Sequence, residues 1–178
     1  MQTKLQSHSW MKIAVPHILL GKGMAWGMVG GLVATVIMDL VLICAFLVAG
    51  MPWFSCFSIV GDTVAHLLPY QNVANSVLLG AAAHYLIGPV LGTIFGITAP
   101  SVNRLQAGSW KRAILFAVLY VEIASQPILA LTPIFLQMTA SETLIWFGGS
   151  FGMHFIWGCV LGVIWRLGWR RPLAINPG

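Results

Sequence analysis

The sequence predicts an all-α membrane protein: a four-helix transmembrane bundle made of two helical hairpins related by a parallel pseudo-repeat. Three observations lead there. Apolar residues fill 58% of the 178 positions and charged residues only 7%, with a mean hydropathy of +0.88. A soluble domain carries about 25% charged residues, so this chain cannot dress a water-facing surface. The apolar residues collect into four runs, each near or above the ~20 residues that cross a hydrocarbon core. Finally, the second and fourth runs share one spaced histidine–glycine pattern.

The elements follow in chain order. An N-terminal stretch, 10–20, is expected along the membrane interface, broken at Pro16, with Trp10 and Met11 as apolar anchors. The spans are expected at about 24–50, 73–97, 113–137 and 144–167. The first run is too long for the apolar core of a secretory leader, so no cleaved signal is expected. Segment 51–71 is apolar but punctuated by Pro52, Gly61 and Pro69 and carries Trp53, Phe54 and Tyr70. It reads as a short surface or re-entrant helix capping the bundle. Between the second and third spans, Pro100, Asn103, Gly108 and Ser109 supply ordinary turn chemistry. Only a brief turn around residues 139–142 separates the third span from the fourth, which makes them an antiparallel hairpin. No water-facing domain is expected on either side.

Charge sets the expected orientation. Lys4, Lys12 and Lys22 precede the first span, Arg104, Lys111 and Arg112 lie between the second and third, and Arg166, Arg170 and Arg171 close the fourth. All nine basic residues therefore fall on one side, and short Lys/Arg-rich loops stay cytoplasmic. A multi-pass protein of the cytoplasmic (inner) membrane with both termini inside is expected. The pI near 9.5 then reflects topology and anionic lipid, with no nucleic acid as partner. The partners expected are the lipid bilayer and other membrane subunits or a second copy of the chain.

The pseudo-repeat is carried by Gly80-x3-His84-x3-Gly88-x3-Gly92 in the second span and Ser150-x3-His154-x3-Gly158-x3-Gly162 in the fourth, each histidine followed by an aromatic residue. Both spans run from outside to inside, so the repeat axis lies along the membrane normal. Gly27 and Gly31 make a small-x3-small pair in the first span, and Gly88, Gly92 and Gly96 do so in the second. Such residues let membrane helices approach closely, and packing within the bundle is the expected use of Gly27, Gly31, Gly88, Gly92, Gly158 and Gly162.

Each span holds one ionisable residue: Asp39, His84, Glu122 and His154. A charge at the bilayer centre costs about 2.5–3.5 kcal/mol by insertion scales, so such groups face the bundle interior and pair. Asp39, His84 and His154 lie about 11 residues, or roughly 16 Å, below the outer ends. Four readings fit. His84, His154 and Asp39 are suitable ligands for zinc or iron. The histidines suit a haem or chlorophyll-type ring, with flanking glycines admitting the macrocycle. The four residues suit a proton or ion relay, with Gln126 beside Glu122. They also suit a hydrogen-bonded cluster that fixes helix register and binds nothing. Pro127 and Pro133 bend the third helix.

Other polar residues point to less. Asp62 and His66 share a helical face, for which a cap or local hydrogen bond is the simpler account. His8 and His17 are expected at the interface. Cys44, Cys56 and Cys159 have no metal-type spacing, and a disulfide framework is not indicated; Cys44 and Cys159 read as packed thiols. Trp165 and Trp169 read as interfacial anchors beside the arginines.

The run from Gly27 to Met38, with His84, Gly88, Gly92 and their counterparts His154, Gly158 and Gly162, resembles a family of short, uncharacterised four-helix membrane proteins of bacteria and archaea. The resemblance covers residues 24–168. It implies a topology and no established activity, and Asp39 departs from the small hydroxyl residue expected after that methionine. The expected function is a membrane subunit or scaffold whose Asp/His/Glu/His cluster is structural or holds a metal, haem or pigment. The alternative is a proton-coupled or ion-conducting small transporter acting as an oligomer. No catalytic residues are assigned. An enzyme is the third reading, since a histidine–carboxylate metal site can activate water or oxygen.

Overall fold

The computed structural model of the chain describes residues 17–68, 75–102 and 109–170, with side chains from Leu20 onward. Five helices make up the described residues: α1 (His17–Val48), α2 (Ser55–Leu67), α3 (Ser76–Thr98), α4 (Trp110–Phe135) and α5 (Ala140–Arg170), with a single 3-10 turn, Ala99–Ser101, after α3. No strand occurs among the described residues. The four long helices are each apolar enough to cross a membrane. The architecture is the all-α membrane bundle that composition implied.

Local chemistry sets the helix ends. α1 closes on Gly50, whose φ of 70° is left-handed. The amide of Gly50 donates to the carbonyl of Leu47, and that of Met51 to Phe46, the glycine-terminated closure that satisfies orphan carbonyls. The Asn75 side chain accepts from the amide of Leu78 at 3.0 Å and caps α3. α5 opens on a reciprocal cap: Glu142 accepts from the Thr139 amide at 2.8 Å, and the Glu142 amide donates to the Thr139 hydroxyl.

Three boundaries differ from the sequence expectation. His17–Leu20, placed along the interface, already belong to α1, because nothing after Pro16 interrupts the helix; residues 10–16 lie outside the described residues. The fourth span begins earlier than expected, at Ala140, because the Thr139–Glu142 cap starts it. The third extends back to Trp110, whose ring receives the Arg170 guanidinium at 5.5 Å.

Packing order around the bundle is α3, α1, α5, α4. Glycines set the α1–α3 contact. A Cβ on Gly27 would strike the Gly92 carbonyl, with the Gly96 Cα at 2.9 Å, and one on Gly31 would lie 3.0 Å from the Gly92 Cα. These two backbones touch, which only glycine permits. α5 packs on α4 through Gly158 and Gly162, where a Cβ would lie 2.6 Å from the Val118 Cα and 2.7 Å from the Ile114 Cα. α1 meets α5 where the Trp157 indole donates to the Thr35 hydroxyl at 3.1 Å.

The end of the bundle where α1 begins and α5 finishes is an aromatic core. Phe95 packs edge-on to Trp165 at 5.7 Å and beside Tyr120 at 5.5 Å, and Trp165 stacks on Trp169. Trp165, expected as an interfacial anchor, is fully buried, because α1, α3 and α5 converge around it. Trp169 is partly buried, and its carbonyl accepts from Lys22 at 3.0 Å. Cys44, expected as a packed thiol, faces outward from α1, and Cys159 is half-buried.

Polar backbone left open by proline finds partners. Pro133 removes the amide that would reach the Leu129 carbonyl, and the Trp146 indole donates there instead at 3.1 Å. Threonine hydroxyls bond back to carbonyls four residues earlier, as Thr35 does to Gly31, Thr93 to Pro89 and Thr132 to Ile128.

Candidate functional site

The glycine contacts fix where the four ionisable residues meet. In the first hairpin, α1 carries Asp39 upward and α3 carries His84 downward. The imidazole Nδ1–H donates to Asp39 Oδ1 at 2.9 Å. In the second, α4 carries Glu122 and α5 carries His154. Here His154 Nδ1 lies 3.9 Å from Glu122 Oε2, too long for a hydrogen bond, and 3.0 Å from the Ser125 hydroxyl. Ser125 in turn stands 3.2 Å from the Glu122 carbonyl. The first pair is joined directly; in the second, Ser125 engages the imidazole and the Glu122 backbone carbonyl, and the carboxylate itself stands apart.

All four residues lie at one depth. Thr35 precedes Asp39 by one turn, Trp157 follows His154 by about one, and these two are hydrogen-bonded across the α1–α5 seam. The cluster is therefore laid out as two acid–imidazole pairs side by side.

Asp39 is 3% exposed, whereas the side chains of His84, Glu122 and His154 are half-buried, at 15%, 14% and 19% exposed. One carboxylate oxygen of each pair, Asp39 Oδ2 and Glu122 Oε1, is buried without a hydrogen-bond partner. A buried unsatisfied acceptor costs about 1–3 kcal/mol, more for a charged group.

The metal reading needed His84, His154 and Asp39 on one ion. Among the described residues no three His, Cys, Asp or Glu side chains come together to hold one. The cause is register: each histidine turns to its own hairpin, His84 Nδ1 to the Asp39 carboxylate and His154 Nδ1 to the Ser125 hydroxyl. Gln126 faces outward from α4 and donates to the Glu122 carbonyl at 2.9 Å. Asp62 and His66 do meet, by a ring N–H donating to the Asp62 backbone carbonyl at 2.8 Å, while the imidazole stacks on Phe135.

Sequence reasoning did not find Ser125, Thr35 or Trp157 as site neighbours, nor the approach of α2. Phe57 presents its edge to the His84 ring at 5.4 Å. The Cys56 thiol is pushed up to about 12 by burial, with the Asp39 carboxylate adding to the effect. Ser125 had a signal, standing one turn after Glu122 on the same helix face. Nothing in segment 51–71 marks how deep its helix sits.

Comparison with protein-family models, with curated proteins and with solved structures gave no match, so the site is read from its own chemistry.

Proposed function

We propose that this protein handles protons within the membrane, its two acid–imidazole pairs forming the relay of a small proton-coupled carrier. The observation that supports this is the orphan oxygen on each carboxylate. A carboxylate and an imidazole sharing one added proton are together neutral. Removing that proton leaves net negative charge in a low-dielectric interior, which is costly. Two such pairs at one depth, in adjoining hairpins, suit transfer between hairpins. Intramembrane carboxylates and histidines mark proton pathways in many carriers.

A second reading is a membrane subunit or scaffold in which the pairs are register locks. The backbone-to-backbone contacts of Gly27, Gly31 and Gly92 favour it, since they make the first hairpin rigid. In either reading the chain sits in the cytoplasmic membrane with both termini inside, on the strength of the one-sided Lys/Arg residues. The resemblance of residues 24–168 to short four-helix membrane proteins agrees with that topology and adds no activity.

The test is proton flux in proteoliposomes under an imposed potential, followed with an internal pH dye. Wild type is expected to exceed protein-free vesicles, and Glu122→Gln and Asp39→Asn to lower the flux at least tenfold. Flux equal to protein-free vesicles, or unchanged in both variants, rejects the relay and leaves the scaffold reading.

A further inference from the structure

The two hairpins share one register. Four residues after His84, Gly88 faces Thr35, which is four residues before Asp39; four further on, Gly92 faces Gly31, four earlier again. In the second hairpin Gly158 faces Val118 and Gly162 faces Ile114, the same steps after His154 and before Glu122. A bundle of two matched hairpins has two seams between them. One, α1 with α5, is closed from just below the level of the pairs to the end where α1 begins: Gly168 abuts the Trp26 indole, Gly30 faces Leu161 and Ile164, and Trp157 reaches Thr35.

The other seam, α3 with α4, is closed only at the inner end. There the Tyr120 hydroxyl donates to the Leu91 carbonyl at 2.9 Å, and Phe116 packs on Phe95 at 5.9 Å. On the outer side α2 enters the seam. Its contact with α3 is intimate: a Cβ on Gly61 would strike the Ser76 carbonyl, and one on Gly80 the Phe57 carbonyl. Its hold on α4 is slight and sits at two places, Thr63 to Thr132 at 3.1 Å and the His66 ring on Phe135 at 5.6 Å. The second hairpin has no equivalent of α2, its outer turn being only the few residues between Phe135 and Ala140.

We propose that α2 is a plug seated in the outer half of the α3–α4 seam, which closes the Asp39–His84 pair off from the outer face and opens by parting from α4 at Thr63–Thr132. The proposal rests on the proton reading for its purpose, but its geometry does not. Phe57 and Cys56 lie at the inward end of the plug, against His84 and near Asp39. The tight glycine contact makes α2 move with α3, and the threonine latch is the weaker boundary. Opening there exposes the first pair from outside while the α1–α5 contacts from Thr35–Trp157 to Trp26–Gly168 stay in place.

The experiment uses full-length protein in vesicles with Cys44→Ala and Cys159→Ala, and a membrane-impermeant maleimide added from the outer face. Alkylation is read at Cys56 by peptide mass. Thr132→Ala, which loosens the latch, is expected to speed Cys56 alkylation at least threefold. Thr63→Cys with Thr132→Cys, oxidised to a disulfide, is expected to slow it at least tenfold, with recovery after reduction and removal of the reductant. Equal Cys56 rates in the locked, reduced and Thr132→Ala proteins overturn the plug. Labelling needs no proton flux, so a rate that follows the latch in a protein without flux upholds the plug and rejects the relay. Flux that persists unchanged in the locked protein overturns the plug and leaves the relay standing.

Discussion

Asp39 and His84 show what one hydrogen bond does when its surroundings are hydrocarbon. Removing one member of a buried pair leaves the other charged or unsatisfied, a loss of about 3–5 kcal/mol, while replacing both with apolar residues is often nearly neutral. His84→Leu is therefore expected to destabilise the bundle strongly, because the Asp39 carboxylate then loses the hydrogen bond to Oδ1 as well as lacking one at Oδ2. Asp39→Leu with His84→Leu is expected to recover most of that loss. Reversible unfolding in mixed micelles measures both; a double variant as unstable as the single one denies that the pair is the source of the cost. The same cycle on Glu122 and His154 is expected to be shallower, since their side chains stand 3.9 Å apart and the imidazole bonds to Ser125 instead. At this scale the sequence marked the four ionisable residues and, through helical rise alone, the common depth of Asp39, His84 and His154; the level of Glu122, on the helix with Pro127 and Pro133, was not legible. Which carboxylate meets which histidine was not legible, because that depends on the rotation of each helix, and the rotation is set by glycine contacts between α1 and α3 that no spacing rule within one helix reports.

The elements were legible where length and hydropathy decide, and less so where a cap or a close approach does. Four apolar runs gave four spans, but the start of α5 belongs to Thr139 and Glu142, and the sequence left α2 open between a surface and a re-entrant helix, whereas its first turn reaches His84. Its depth follows from Gly61 and Gly80, which let it press against α3; in the sequence these were two glycines among many. α4 carries the clearest prediction at this scale. Pro133 leaves the Leu129 carbonyl without its helical donor, and Trp146 of α5 supplies one. Trp146→Phe keeps the ring and removes the donor, and it is expected to cost about 1 kcal/mol. In a Pro133→Ala background the helix regains its own amide at that carbonyl, so Trp146→Phe is expected to cost less there. Comparing the two differences by reversible unfolding isolates the cross-helix bond. Equal costs in both backgrounds assign the effect to ring packing instead.

For the whole molecule, the two hairpins are joined in sequence by the segment between α3 and α4 and in space chiefly by α1 against α5. That seam combines apolar packing of Gly30 on Leu161, the approach of Gly168 to Trp26, the Trp157–Thr35 hydrogen bond and the Lys22 contact with the Trp169 carbonyl. Membrane helices, once inserted, associate through such packing and interhelical bonds, without needing a covalent link. The chain cut between residues 105 and 106, its halves expressed together, is therefore expected to reassemble, the tagged first half drawing the second through purification in mild detergent. A leucine at Gly168 would force its side chain into the Trp26 indole, and that variant is expected to lose at least tenfold in recovered second half while each half still inserts. Trp157→Phe, which removes only the donor to Thr35, is expected to weaken recovery by a smaller factor. Retention of full recovery in Gly168→Leu would move the joint to the α2–α4 latch and the inner contacts of Tyr120 and Phe116. Halves that never associate would show that the connection between α3 and α4 supplies closure the α1–α5 seam lacks. The sequence pointed to this division through the repeated histidine and glycines, yet the seam residues Thr35, Trp157 and Gly168 stood outside the repeat, because an interface between two matched halves is made by the faces the repeat does not use within either one.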